Sequence, residues 1–277
     1  MKSTILVFLA LSVASNVHAQ SRRNHTAELG KIDGSGTSLD LNDPWVAIRF
    51  RLESNPAPSP SHAANPVPVS QLRIPAKALK EFERAQKASH SGDVPASVEH
   101  LQKALKIYPD FIQAHNSLGL GFIQLGEYQK ALTEHETALA LDPRSAQTHQ
   151  DLSFTLLLLN RNQEAEAEAR QALDLDSQSA AGHYVLGRAL IAQGRATPEA
   201  VQMLRQSENV FPNASLVLAQ IHFEAGQTDQ AIAELRHYLR GPADRETKQK
   251  AECWVAQLSR QPLPPGCPAE ARQPSFR

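Results

Sequence analysis

Residues 111–143 read FIQAHNSLGLGFIQLGEYQKALTEHETALALDP, and this stretch decides the fold. Leu118 and Phe122, with Ala114 and Gly119 beside them, fall at helical intervals and make one apolar face of a first helix. Gly126 ends that helix, because glycine takes the left-handed conformation that a C-terminal cap requires. A second helix follows, with Ala131, Leu132, His135, Ala138 and Leu139 on its inner face. Small residues at Gly119, Ala131 and Ala138 let the two helix backbones approach closely. Pro143, with no backbone N–H to donate, stops the second helix.

The same unit recurs on both sides. Gly92, Gly126, Asn160 and Gly194 stand 34 residues apart at each step, and asparagine is the residue best able to replace glycine in a left-handed cap. Leu105, Leu139 and Leu173 keep the interval, as do Pro109 and Pro143, with Ser177 at the next step. The small contact residues recur as Ala85, Ser97 and Ala104; Ser153, Ala165 and Ala172; and Gly187, Ala200 and Ser207. Leu118-Gly119, Gly126-Glu127-Tyr128, Ala131, Ala138-Leu139 and Leu141-Asp142-Pro143 together resemble the signature of the tetratricopeptide repeat, TPR. The resemblance implies an all-α superhelical solenoid of antiparallel helix pairs with a C-terminal capping helix, and residues 20–74, where the repeat is absent, are expected to form a mostly irregular N-terminal arm.

The array is expected over residues 75–259, with repeats at about 78–111, 112–145, 146–179, 180–212 and 213–241 and a cap helix at 243–259. Pro75 suits a first helical turn. Arg84 stands where later repeats have Leu118, Leu152 and Leu186, which marks the first repeat as an exposed end. The fourth repeat carries one extra residue around Arg195–Pro198, where Thr197-Pro198 reads as an N-cap and a first-turn proline. The fifth unit has Leu218, Ala219, Gly226, Ala231 and Leu235 in repeat-like places but a shortened first helix, and Gly241-Pro242 closes it. Ala251, Trp254, Val255 and Leu258 form one face of the cap helix, and a proline-rich tail occupies 260–277.

Ahead of the array, residues 1–19 have the form of a secretory signal: Lys2, an apolar run from Ile5 to Ala14, and Val17-His18-Ala19 as the small-residue cleavage pattern. That run of about ten residues falls short of the roughly 20 needed to span a bilayer, so a periplasmic or secreted protein with no integral membrane segment after cleavage is expected. Residues 20–74 lack the repeat. Within them Val46–Leu52 alternates like a strand that either lies on the repeats or adds to a partner's sheet, and Asn55–Val69 holds five prolines and reads as a linker. Asn24-His25-Thr26 and Asn213-Ala214-Ser215 have the glycosylation-acceptor pattern.

Composition excludes some functions. With 28 basic and 29 acidic residues and a formal net charge of -1, the chain has no electrostatic footprint for nucleic acid. No GxSxG, HExxH, GxxxxGK or GxGxxG stretch is present, so neither a catalytic site nor a cofactor is expected. Glu164, Glu166 and Glu168 read as a solvated helix face. His115, His149 and His183 fall at one place in successive repeats; packed helices stand about 8–10 Å apart, too far for such a ladder to share one metal ion, so these residues and His135 read as packing side chains. Cys253 and Cys267, in an exported chain, either form a disulfide or stay free, and no metal-ligand spacing accompanies them.

What the resemblance implies for binding is a protein or peptide partner held along the first helices of the repeats. Carried over repeat by repeat, the lining places are Gln113, Asn116 and Gln124; Gln147, Gln150 and Phe154; Tyr184 and Arg188; and Gln220 and Phe223. This amide-rich set suits a peptide backbone, while polar residues are also simply what exposed helices carry. The clamp by which some TPR proteins hold a terminal carboxylate is absent: its places include Phe82, Gln86, Ser117, Gln147 and Asp151. An exported adaptor, a non-catalytic helper of a cell-envelope assembly or secretion complex, and an enzyme with an unrecognised site are the three readings, in that order.

Overall fold

The computed structural model describes residues 74–241 and 245–267. The signal segment, the strand-like stretch 46–52, the linker 55–69 and the end of the tail lie outside them. Eleven helices and no strand occur among the described residues. They are α1 (Ala76–His90), α2 (Val94–Ile107), α3 (Ile112–Gln124), α4 (Tyr128–Leu141), α5 (Ala146–Leu158), α6 (Asn162–Leu175), α7 (Ala180–Ala192), α8 (Pro198–Ser207), α9 (Asn213–Glu224), α10 (Thr228–Arg240) and α11 (Arg245–Leu258). Two compact units are separable among the described residues, one ending at Ala214 and the other running from Ser215 to Cys267.

In the first unit the helices pack as the hairpins α1/α2, α3/α4, α5/α6 and α7/α8, and each second helix packs on the first helix of the next hairpin. The turns follow from residue type. Gly92, Gly126, Asn160 and Gly194 all have positive φ, from +57° at Asn160 to +79° at Gly92. The backbone N–H of Glu127, just past the Gly126 turn, returns to the Phe122 carbonyl at 2.8 Å, closing the helix end. Side chains start several helices: Asp93, Ser145 and Ser179 accept from the N–H groups of Ala96, Thr148 and Gly182. Thr197 caps α8 through the Ala200 N–H, with Pro198 as its first residue.

Close packing depends on the small residues. A methyl group added to Gly119 would collide with the ring of His135, which belongs to α4 and is completely buried. Gly119→Ala is therefore expected to lower stability by about 1–2 kcal/mol, the overpacking penalty less the gain in helix propensity. Urea unfolding checks this. In a double-variant cycle with His135→Ala the two losses should fall well short of additive, because each change relieves the other.

In the second unit Leu216 and Ala219 from α9, Leu235 and Tyr238 from α10, and Ala251 and Trp254 from α11 form one buried cluster. Phe223 packs at its margin, its ring 6.3 Å from Trp254 in an edge-on arrangement. A disulfide joins Cys253 on α11 to Cys267, with a Cα–Cα distance of 5.8 Å.

The first helix of the fifth unit, α9, has 12 residues against 13 in α3, α5 and α7. The second helix of the fourth repeat, α8, has only 10. The extra residue before Pro198 delays the start of α8, and after Ser207 the chain turns so that Phe211 stacks on Tyr184 at 4.8 Å. The triplet 213–215 lies at the start of α9, with Asn213 half-buried and Ala214 and Ser215 fully buried.

Candidate functional site

The first helices of the hairpins carry the amide and aromatic positions proposed for a partner. Within the first unit, α3 touches α5 and α5 touches α7, so these three first helices form a continuous run. Gln113, Gln124 and Gln147 are half-buried. Asn116, Gln150 and Arg188 are buried, with Arg188 only 8 % exposed. Phe154 and Tyr184 have no exposed surface at all. These two rings, though at lining places by register, therefore present no apolar area to a partner. In the second unit Gln220 is half-buried and donates to Glu224 at 3.1 Å, and Phe223 belongs to the margin of the α9–α11 cluster.

Polar bonds tie successive repeats together. Asn116 Nδ2 donates to Thr148 Oγ1 at 3.0 Å, and that hydroxyl lies 2.9 Å from Ser145 Oγ, joining α3 to the start of α5. Asn116 Oδ1 finds no donor. His135 Nδ1 stands 2.9 Å from Thr155 Oγ1, whose hydroxyl already donates to the Asp151 carbonyl at 2.8 Å. The imidazole must then be the donor, which fixes the Nδ1–H form. Burial drives the His135 pKa down to about 4, countered only in part by the Asn116 backbone.

His115, His149 and His100 staple the two helices of their hairpins. His115 Nδ1 lies 2.7 Å from Glu134 Oε2 and Nε2 lies 2.8 Å from the Pro109 carbonyl. His149 repeats this with Glu168 at 2.6 Å and the Pro143 carbonyl at 3.2 Å. In the first repeat the pair is inverted, with Glu81 on α1 and His100 on α2 at 2.8 Å. A carboxylate and a carbonyl only accept, so both bonds of His115 form only with the imidazolium. Burial opposes that charge, but Glu134 and Pro109 outweigh it and raise the pKa of His115. His183 has no carboxylate in this arrangement, and burial lowers its pKa.

The acidic face of α6 also requires correction. Glu164 is exposed and pairs with Arg161, as expected, but Glu166 is buried and Glu168 is taken up by His149. Glu166 accepts from Arg170 on its own helix, from Gln193 at 2.7 Å and from Arg195 at 2.7 Å. Arg170 also reaches Glu199 at 2.9 Å. The extra residue in the fourth repeat thus brings a guanidinium from the α7–α8 turn back onto α6. Burial alone would raise the pKa of Glu166, yet Arg170, Gln193 and Arg195 hold it at about 2. Glu166→Gln is expected to cost about 1–2 kcal/mol, because the three donors converge on a neutral amide while the two guanidinium groups stay partly hydrated. Urea midpoints at neutral pH test it, and the loss should vanish below about pH 2, where the native carboxylate itself protonates.

Among the described residues no group of three or more His, Cys, Asp or Glu side chains could hold a metal ion. No described helix is long and apolar enough to cross a membrane. Stacked antiparallel hairpins joined by short turns define an all-α repeat scaffold. The fold is a solenoid of the tetratricopeptide-repeat type, and the tetratricopeptide repeat family model matches residues 82–146 and 155–206. This architecture is that of an interaction scaffold. No curated protein is detectably similar in sequence.

Solved structures share the fold. PilW, described as a widely conserved type IV pilus biogenesis factor, superposes with a TM-score of 0.59 at 21 % identity, over 67 % of this chain and 87 % of PilW. Pseudomonas aeruginosa pilF gives 0.56 at 19 %, over 66 % and 85 %. A thermophilic TPR protein from Thermus thermophilus gives 0.54 at 21 %, over 63 % and 96 %. At these identities the likeness is one of fold.

Proposed function

We propose that this chain is an exported, non-catalytic helper of a cell-envelope assembly, holding a protein partner on the first helices of its repeats. The observation that carries this reading is the fold shared with PilW and pilF over about two thirds of the chain. The signal-like segment 1–19 supports export, and the repeat array 75–259 supports binding of a protein rather than a small molecule. A second reading, an adaptor that captures extended peptides, is favoured by the half-buried amides Gln113, Gln124 and Gln147, whose groups both donate to and accept from a peptide backbone.

In-cell crosslinking from a photoreactive residue at position 147 of the full chain, followed by affinity purification under native conditions, separates the two. Stable recovery of one large complex is expected. Recovery of many unrelated short-lived partners would replace it with the adaptor reading, and crosslinks confined to the chain's own residues would remove this face from the argument. Compartment is read in the same cells: loss of export on deletion of residues 2–19 is the expected result.

A further inference from the structure

We propose that Arg188 is the receptor for an acidic side chain of a peptide bound along the first helices, an inference that rests on the partner-binding reading above. Arg188 lies on α7 one residue after Gly187, which packs against Leu204 and the Ala200 backbone of α8. It lies one helical turn after Tyr184, on the stripe that repeats Phe154 of α5 at an interval of 34. The side chain is only 8 % exposed, and its Nη1 is sealed from solvent with no hydrogen-bond partner among the described residues.

That is an expensive arrangement. A guanidinium is a permanent cation, and a buried charge without a partner costs stability by desolvation alone. Glu166, another buried ionic group of this unit, is surrounded by three donors, so the fold completes that internal charge. Arg188 therefore lacks an acceptor that must come from outside the described array, and a carboxylate matches the fork of its donors.

Asn116 has the complementary deficit. It is likewise buried, and its Oδ1 accepts from nothing while its Nδ2 is already committed to Thr148. One vacant acceptor on α3 and one vacant cation on α7, on helices joined through α5, fit a peptide that supplies a backbone N–H to the first and an Asp or Glu carboxylate to the second. A lipid or polyanion would answer Arg188 but would leave Asn116 without a donor.

The test uses the full chain and a phage-displayed library of random 12-residue peptides, selected in parallel on wild type and on Arg188→Met. Peptides from wild type should carry Asp or Glu at one fixed position, and that preference should disappear on Arg188→Met. A synthetic peptide of the wild-type consensus should bind Arg188→Met about ten- to a hundredfold more weakly, the usual worth of a charge-assisted bond, with Arg188→Lys in between. Free Arg188→Met should melt at a higher temperature than wild type, since an unpaired buried charge has been removed. Peptides enriched without an acidic position, an acidic preference that survives Arg188→Met, or a lower melting temperature for that variant would each overturn the inference while leaving peptide binding intact. Failure of wild type to enrich any peptide would overturn both the inference and the reading beneath it.

Discussion

Lowering the pH from 7 to 4.5 is expected to remove about 2–3 kcal/mol of folding stability through His135 alone. The native pKa of this residue is about 4 because its ring is completely buried between α4 and Gly119 of α3, whereas an unfolded histidine titrates near 6.5. Between those values the unfolded chain binds a proton that the native protein refuses, so stability falls as the pH falls. Ion pairs do not mask this window. Glu166, with a native pKa of about 2, adds stability above the ordinary carboxylate range and loses it only as the pH drops from there towards 2.

His115 acts in the opposite direction. Its native pKa is raised, so its contribution is complete below 6.5 and is lost as the pH rises through the native value. Together the two histidines place maximum stability near neutrality. Urea unfolding of wild type and His135→Leu from pH 7.5 to 4.5 measures the effect. The Leu variant keeps the Thr155 hydroxyl bonded to the Asp151 carbonyl and should lose most of the acid sensitivity of this window. Equal pH slopes in the two proteins would assign the effect elsewhere.

Reducing the Cys253–Cys267 disulfide is expected to cost the second unit about 3 kcal/mol, the loop-closure value for a link across about 15 residues. The two sulfurs are 14 positions apart in sequence and both cysteines are buried, so the bond fastens the tail segment beside α11 while adding little exposed surface. Trp254, next to Cys253 and buried in the α9–α11 cluster, reports the change directly. In a Trp45→Phe background, Cys253→Ala/Cys267→Ala should show Trp254 fluorescence shifting at a lower urea concentration than the oxidised parent. Coincident transitions would mean that the link constrains nothing the helices do not already hold.

Much of this architecture was legible from spacing. The 34-residue recurrence of Gly92, Gly126, Asn160 and Gly194 specified the turns because a left-handed backbone position admits few residue types. The small residues at Gly119 and Gly187 specified the close approaches of helices for the same steric reason. The candidate face was less legible. Phe154 and Tyr184 occupy lining places by register, yet how much of a side chain remains exposed depends on what packs over it, which register does not encode.

The acidic run on α6 shows the same boundary. Glu164, Glu166 and Glu168 are alike in sequence, but one is exposed on Arg161, one is buried under Arg170 and Arg195, and one is bound to His149. Their partners lie up to 29 positions away. Local chemistry, meaning period, caps and residue size, determined the helices, their turns and the repeat they form. The tertiary structure alone decided which charges are completed and which are left vacant, as at Glu166 and Arg188, because a buried charge is matched or unmatched by residues that only folding brings within reach.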